Sequence, residues 1–128
     1  MNQREIIFNK YNGKCAYCGE PLQQGWHVDH IEPIKRGYKY IGGKIVRGGI
    51  QDAEHPERDI ITNKMPSCPS CNINKHSGSL EEFRTLIGNF PSSLNEYSTQ
   101  YKIAKRYGLI QEITKPVVFY FETLKSNS

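Results

Sequence analysis

The sequence predicts a small α+β domain organised around a structural four-cysteine zinc site. Three observations carry that expectation. The 128 residues suffice for one modest core and not for two, so residues 1–128 read as a single domain. Short helical and strand-like patterns follow one another without internal repeats or low-complexity tracts. The four cysteines form two Cys-x-x-Cys pairs, Cys15/Cys18 in "CAYCG" and Cys68/Cys71 in "CPSCN", where a tight turn lets both thiols face one ion.

Each element has its own signal. Gln3 to Asn12 reads as a helix stopped by Gly13, with Ile6, Ile7, Lys10 and Tyr11 near one face. After the first cysteine pair, Pro21 to Gly25 is turn material, and Trp26 to Ile31 reads as a strand entering the core. Tyr38 to Gly49 reads as a basic hairpin turning at Gly42-Gly43. "DAEHPERD" reads as a loop. The second pair runs into a helical segment near Asn72 to His76, interrupted at Ser77-Gly78. Ser79 and Glu82 form a capping box for a helix through Leu86. Leu94, Tyr97, Tyr101 and Ala104 predict one helix over Pro91 to Tyr107, ended by Gly108. Leu109 to Thr123 reads as two strands around Lys115-Pro116, so residues 89–128 read as a helix plus β-hairpin extension.

Composition narrows the function classes. The first residues are polar and charged, unlike a secretory leader, which predicts the reducing cytosol of a bacterium or a phage-infected host. There thiols favour metal ligation over disulfides, and four thiolates suit tetrahedral Zn²⁺. A redox reading of two Cys-x-x-Cys motifs needs two separate explanations. The longest apolar run, Val117 to Phe121, is too short to cross a bilayer, so no membrane partner is expected. The net charge of +4 permits an anionic partner without requiring one. Its distribution says more. Ile34 to Gln51 holds five cations (Lys35, Arg36, Lys39, Lys44, Arg47) and no acid, whereas Asp52 to Asp59 holds four acids and one Arg.

The residues between the cysteine pairs argue for chemistry beyond a structural ion. The pairs are separated by 49 residues, 19 to 67, far more than a compact ribbon needs. Asp29 and His30 are adjacent, and in a regular strand neighbours point to opposite faces, so a shared site requires a bend there. The structural alternative makes His30 an inward residue beside Trp26 and Val28, with Asp29 a solvated charge. Asn63 lies five residues before Cys68 and Asn72 follows Cys71; on a helix Asn72 shares a face with Lys75 and His76. A carboxylate and an amide carbonyl are hard oxygen ligands suited to Mg²⁺ or Mn²⁺, and a neutral imidazole takes a proton from water near pH 7.

On "CAYCG", "VDHIEPI", "TNKMPSCPSCNINK" and, more weakly, "SLEEF", the chain resembles the zinc-stabilised branch of the HNH endonucleases, the ββα-metal nucleases, over residues 15–83. The resemblance implies a ββα-metal finger core and hydrolysis of DNA phosphodiester bonds to 5′-phosphate and 3′-hydroxyl ends. It implies that His30 is the general base, that Asp29 and Asn72 hold a catalytic Mg²⁺ or Mn²⁺, and that Asn63 orients the histidine loop. It implies structural zinc on Cys15, Cys18, Cys68 and Cys71. Asn72 departs from the histidine that many members carry there. Lys39, Lys44, Arg47, Lys75 and His76 are candidate DNA contacts, against the reading of a merely solvated basic face. Two rivals stand beside this one. A nucleobase deaminase is suggested by His30-Ile31-Glu32, but Ser67 separates Pro66 from Cys68 and the first cysteine pair is left without a role. A zinc-knuckle module that binds nucleic acid without cutting it explains the cysteines and the basic hairpin only.

Overall fold

Asn2 starts the first helix, α1 (Gln3–Asn9), by accepting the Glu5 N–H on its side-chain oxygen. In this computed structural model, which describes residues 1–124, the helix buries Ile7 and leaves Ile6 half-exposed. Gly13, at φ 77°, turns the chain out of it, as the sequence predicts. The first cysteine pair follows as a tight excursion closed by the bridge between Lys14 and Pro21. The residue after its second cysteine has little choice. Gly19 sits at φ 78°, and a Cβ there would come 3.1 Å from the Tyr120 ring.

Strand β1 (His27–His30) then enters the interior. A hairpin of β2 (Tyr38–Ile41) and β3 (Lys44–Arg47) turns at Gly42 and Gly43, with φ 57° and 79°. Both values are positive, as a two-residue turn of the twist-matched type requires. "DAEHPERD" contains one short 3₁₀ turn, Pro56–Arg58, and begins on the last residue of another, Ile50–Asp52. The strand that positions the site is one the sequence hides, β4 (Lys64–Ser67). It pairs antiparallel with β1 in the register His27 to Ser67, Asp29 to Met65 and His30 to Lys64. Four residues with a proline among them show no alternating pattern. Helix α2 (Pro69–Lys75) leaves β4 directly and packs against β1. The result is a mixed α+β architecture with two two-stranded sheets.

Helix α3 (Leu80–Gly88) opens with the expected capping box: the Ser79 hydroxyl accepts from Glu82 N and the Glu82 carboxylate accepts from Ser79 N. Beyond it the sequence reading needs two corrections. The helix expected over Pro91 to Tyr107 is two helices, α4 (Phe90–Tyr97) and α5 (Thr99–Arg106). Ser98 breaks them by adopting extended backbone and capping α5 through Tyr101 N. The expected C-terminal β-hairpin does not form among the described residues; residues 125–128 of that extension lie outside them. Residues 110–119 carry no regular structure and lead into α6 (Tyr120–Thr123). The apolar alternation there is real but serves another end. Phe119 and Phe121 are 1% and 4% exposed, while Tyr120 and Phe121 donate their N–H groups to Tyr17 and Ala16 in the first cysteine excursion.

The core therefore joins both ends of the chain. Cys15, Ala16, Tyr17, Met65, Phe83, Phe119 and Phe121 form one buried cluster. The Tyr17 ring meets Phe83 and Phe119 edge-on at 5.6 and 5.5 Å, and Phe83 stacks on Phe119 at 5.4 Å. Arg84 fastens the C-terminal segment from outside, through the Val117 carbonyl and the Glu122 carboxylate. Phe119→Ala is expected to destabilise the protein by about 3–5 kcal/mol in urea unfolding. Tyr107→Ala, at a position 80% exposed, should stay within about 0.5 kcal/mol of the parent.

Candidate active site and metal centre

The four cysteines converge. Their sulfur atoms all lie within 4.8 Å of one another, and Cys18 Sγ stands 3.8 Å from Cys68 Sγ. A tetrahedral ion with bonds of about 2.3 Å to sulfur has sulfur–sulfur edges of about 3.8 Å, so the cluster is compatible with zinc. The backbone prepares it for anionic sulfur. Cys68 N donates to Cys15 Sγ and Cys71 N to Cys68 Sγ, both at 3.4 Å. A hydrogen bond from the Cys71 thiol, helped by backbone N–H groups, draws the Cys15 thiol down to about 4. Burial and then the neighbouring thiols push Cys18 up to about 11. Cys71 is also pushed up, by its bond to Cys15 and by burial. Without a cation the thiols resist ionising together, and a divalent ion removes that conflict. Four thiols also close the coordination shell, leaving no ligand position for His30 of the kind a deaminase uses.

β1 ends at His30 and the chain bends directly after it, which is where a site shared by Asp29 and His30 needs the strand to leave regular geometry. The burial order is the reverse of the structural alternative, since Asp29 is 7% exposed and His30 only half-buried. Asp29 Oδ2 accepts the Tyr17 hydroxyl at 2.5 Å and lies 3.1 Å from Lys75 Nζ. Burial and the Asp29 charge drive the Tyr17 phenol far above its ordinary range, so it remains a donor. Among the described residues Oδ1 of Asp29 receives no hydrogen bond.

Lys75 corrects an expectation. Read as a phosphate contact, it is buried, and its ammonium is held by the His30 carbonyl at 2.8 Å, the Gly78 carbonyl at 3.0 Å and Asp29. Three acceptors and no exposure leave nothing for DNA. Asn72, three residues earlier on α2, is half-buried, and among the described residues its side-chain amide makes no hydrogen bond. A buried carboxylate with one open oxygen and an unpartnered amide on the adjoining helix fit a hard divalent ion. His76 ends α2 on the surface at φ 53°, its Nδ1 accepting from Ser77 N.

Asn63 is spent on the loop after His30. Its Oδ1 accepts from Glu32 N at 3.0 Å, and its Nδ2 donates to the carbonyls of Glu32 at 2.9 Å and Arg58 at 2.8 Å. Beside it stands a residue that the sequence reading missed. Asp59 Oδ1 lies 2.8 Å from His30 Nε2 and 3.2 Å from Lys64 Nζ. Hydrogen bonding to His30, with Lys64 close by, holds the Asp59 carboxyl below its ordinary value. The only sequence signal was its place four residues before Asn63, in a stretch that reads as an acidic loop. Tyr17 was missed too, because no spacing rule links the first cysteine pair to Asp29.

The hairpin cations are spread unevenly. Lys39 pairs with Asp52 at 2.9 Å, while Lys44 and Arg47 are exposed. Tyr38 faces Arg47 and Tyr40 faces Ile45 across the strands, with both tyrosines about three-quarters exposed.

No family model matches the chain, and no solved structure matches it. A curated protein of Bacillus subtilis (strain 168), named "SPbeta prophage-derived putative HNH endonuclease YoqL", is 31% identical to it over 83 residues. That alignment covers 64% of this chain and 32% of the Bacillus protein, so the chain spans about a third of the length of the relative it matches. No helix among the described residues is long and apolar enough to cross a membrane.

The cluster geometry predicts one zinc per chain by elemental analysis of the purified protein. Cys68→Ser should lose the metal and unfold at markedly lower urea concentration, because the cluster joins the excursion at residues 15–18 to the start of α2.

Proposed function

We propose that this protein is a metal-dependent DNA endonuclease of the HNH type, in which β1, β4 and α2 form a ββα-metal finger. The observation that carries the reading is His30. One ring nitrogen is held by a carboxylate and the other has no partner among the described residues, while its strand neighbour is a buried carboxylate with an open oxygen. The likeness to a Bacillus protein named as an HNH endonuclease supports the same reading.

His30 Nδ1 takes a proton from a water molecule. The resulting hydroxide attacks phosphorus in line, the bond to the 3′ oxygen breaks, and that oxygen leaves to be protonated by solvent. The ends are a 5′-phosphate and a 3′-hydroxyl. Asp29 and Asn72 would hold Mg²⁺ or Mn²⁺, which when bound neutralises charge on the phosphate and the leaving oxygen. Asn63 holds the histidine loop in place through the Glu32 and Arg58 backbone. Lys39, Lys44 and Arg47 lay the hairpin along the DNA backbone, where each cation gains affinity by releasing counterions. His76, on the surface at the end of α2, is a further phosphate contact.

A supercoiled plasmid should be relaxed or linearised with Mg²⁺ or Mn²⁺ and left intact with a chelator, and no cleavage under either ion would leave only the binding-module reading. Brief EDTA treatment should abolish cutting without unfolding the protein, because an ion held by oxygen exchanges more readily than one held by four thiolates. His30→Ala should lose at least about a hundredfold in rate while fold and DNA binding persist. Replacing Lys39, Lys44 and Arg47 together with Ala should weaken DNA binding and lower its salt dependence by up to about three phosphate contacts. An unchanged salt slope would move the DNA-binding face elsewhere, first to the basic helix α5.

A further inference from the structure

We infer that Asp59 is a positioning residue that fixes the tautomer of His30, keeping Nδ1 unprotonated and turned to the site. The inference rests on the nuclease reading for what His30 does, but not for how its ring is held. An ionised carboxylate can only accept hydrogen bonds. Asp59 Oδ1 lies 2.8 Å from Nε2, so the neutral ring must place its single proton there and leave Nδ1 bare. No other side chain competes for the ring: His30 has this one hydrogen-bond partner among the described residues.

The fold keeps Asp59 ionised and in place. Lys64, cross-strand partner of His30, sits 3.2 Å from the same oxygen and keeps the carboxyl below its ordinary value together with the histidine bond. Asn63 sets the distance. By taking the Arg58 carbonyl and both backbone groups of Glu32, it draws the peptide before Asp59 against the loop that follows His30. Ile31 N donates to the Asn63 carbonyl at 3.0 Å, closing the clamp from the other side. The Asn63 clamp thus has a consequence beyond loop shape: it delivers a carboxylate to the base.

A tautomer role and a structural role predict opposite orders of damage. Asp59→Asn, combined with Lys64→Met so that no ammonium holds the amide oxygen toward the ring, keeps the shape but offers an N–H to Nε2, which places the proton on Nδ1 and removes the base. Asp59→Ala, also combined with Lys64→Met, leaves the ring free to take either tautomer. Relative to Lys64→Met alone, plasmid cleavage should therefore fall by about tenfold or more in kcat for the Asn variant, with KM unchanged, and by less for the Ala variant. A purely structural Asp59 would give the reverse order, since Asn is the closer isostere, and that result would overturn the proposal. Nitrogen-15 NMR of the imidazole decides independently of activity. The wild-type protein with the ring neutral should show the Nε2–H tautomer for His30, and Asp59→Asn with Lys64→Met should shift it to Nδ1–H. A wild-type ring protonated at Nδ1 would refute the assignment even if the protein cuts DNA. A protein that does not cut but shows the Nε2–H form would refute the nuclease reading alone.

Discussion

The site depends on bringing residues 15–18 and 68–71 together across 49 intervening residues. Closing a loop of that length costs about 4 kcal/mol of chain entropy. The β1–β4 ladder is only four residues long and is unsuited to bear that alone. A tetrathiolate zinc site is worth about 10–16 kcal/mol in small zinc-finger peptides, several times the loop cost. Metal ligation, with which the four-thiol cluster is compatible, would be a contribution large enough to hold the two segments in register. Once they are in register, Ala16 N bonds the Pro66 carbonyl at 2.8 Å and Tyr17 reaches Asp29.

Tyr17 shows how tightly core and site are joined. Its ring sits among Phe83, Phe119 and Phe121, while its hydroxyl holds the carboxylate beside the histidine. A buried carboxylate and a buried ammonium each carry a desolvation penalty of several kcal/mol. Asp29 and Lys75 offset it by pairing with each other, and Lys75 also takes two backbone carbonyls, including that of His30. The C-terminal residues belong to the same arrangement. Without Phe119 and Phe121 the Tyr17 ring would be open to water on the side they cover, so the 15–83 stretch does not fill its own core.

Much of this was legible in the sequence. The Cys-x-x-Cys spacings announce the thiol cluster, Gly42-Gly43 announces its turn, and Ser79 with Glu82 announces the start of α3. Each is a local rule satisfied within a few residues. The failures share a cause as well. "VVFYF" alternates as a strand does, but its N–H groups go to Tyr17 and Ala16 in an irregular excursion, so no strand results. The β4 residues carry a proline and no alternation, and they form a strand because β1 lies opposite. At Ser98 a hydroxyl that caps α5 outweighs the helical spacing that runs across it.

By itself, the sequence determined which groups could do chemistry: four thiols, an Asp-His pair, two asparagines and a run of cations without an acid. Those are properties of residue type and short spacing, and they hold whatever path the chain takes. Only the tertiary structure decided which groups meet. Asp59 reaches His30 across 29 residues, Tyr17 reaches Asp29 across 12, and Lys75 is taken from the solvent by a carbonyl 45 residues away. No periodicity records such contacts, because each is set by how β1, β4 and α2 pack and not by the conformation of any one segment.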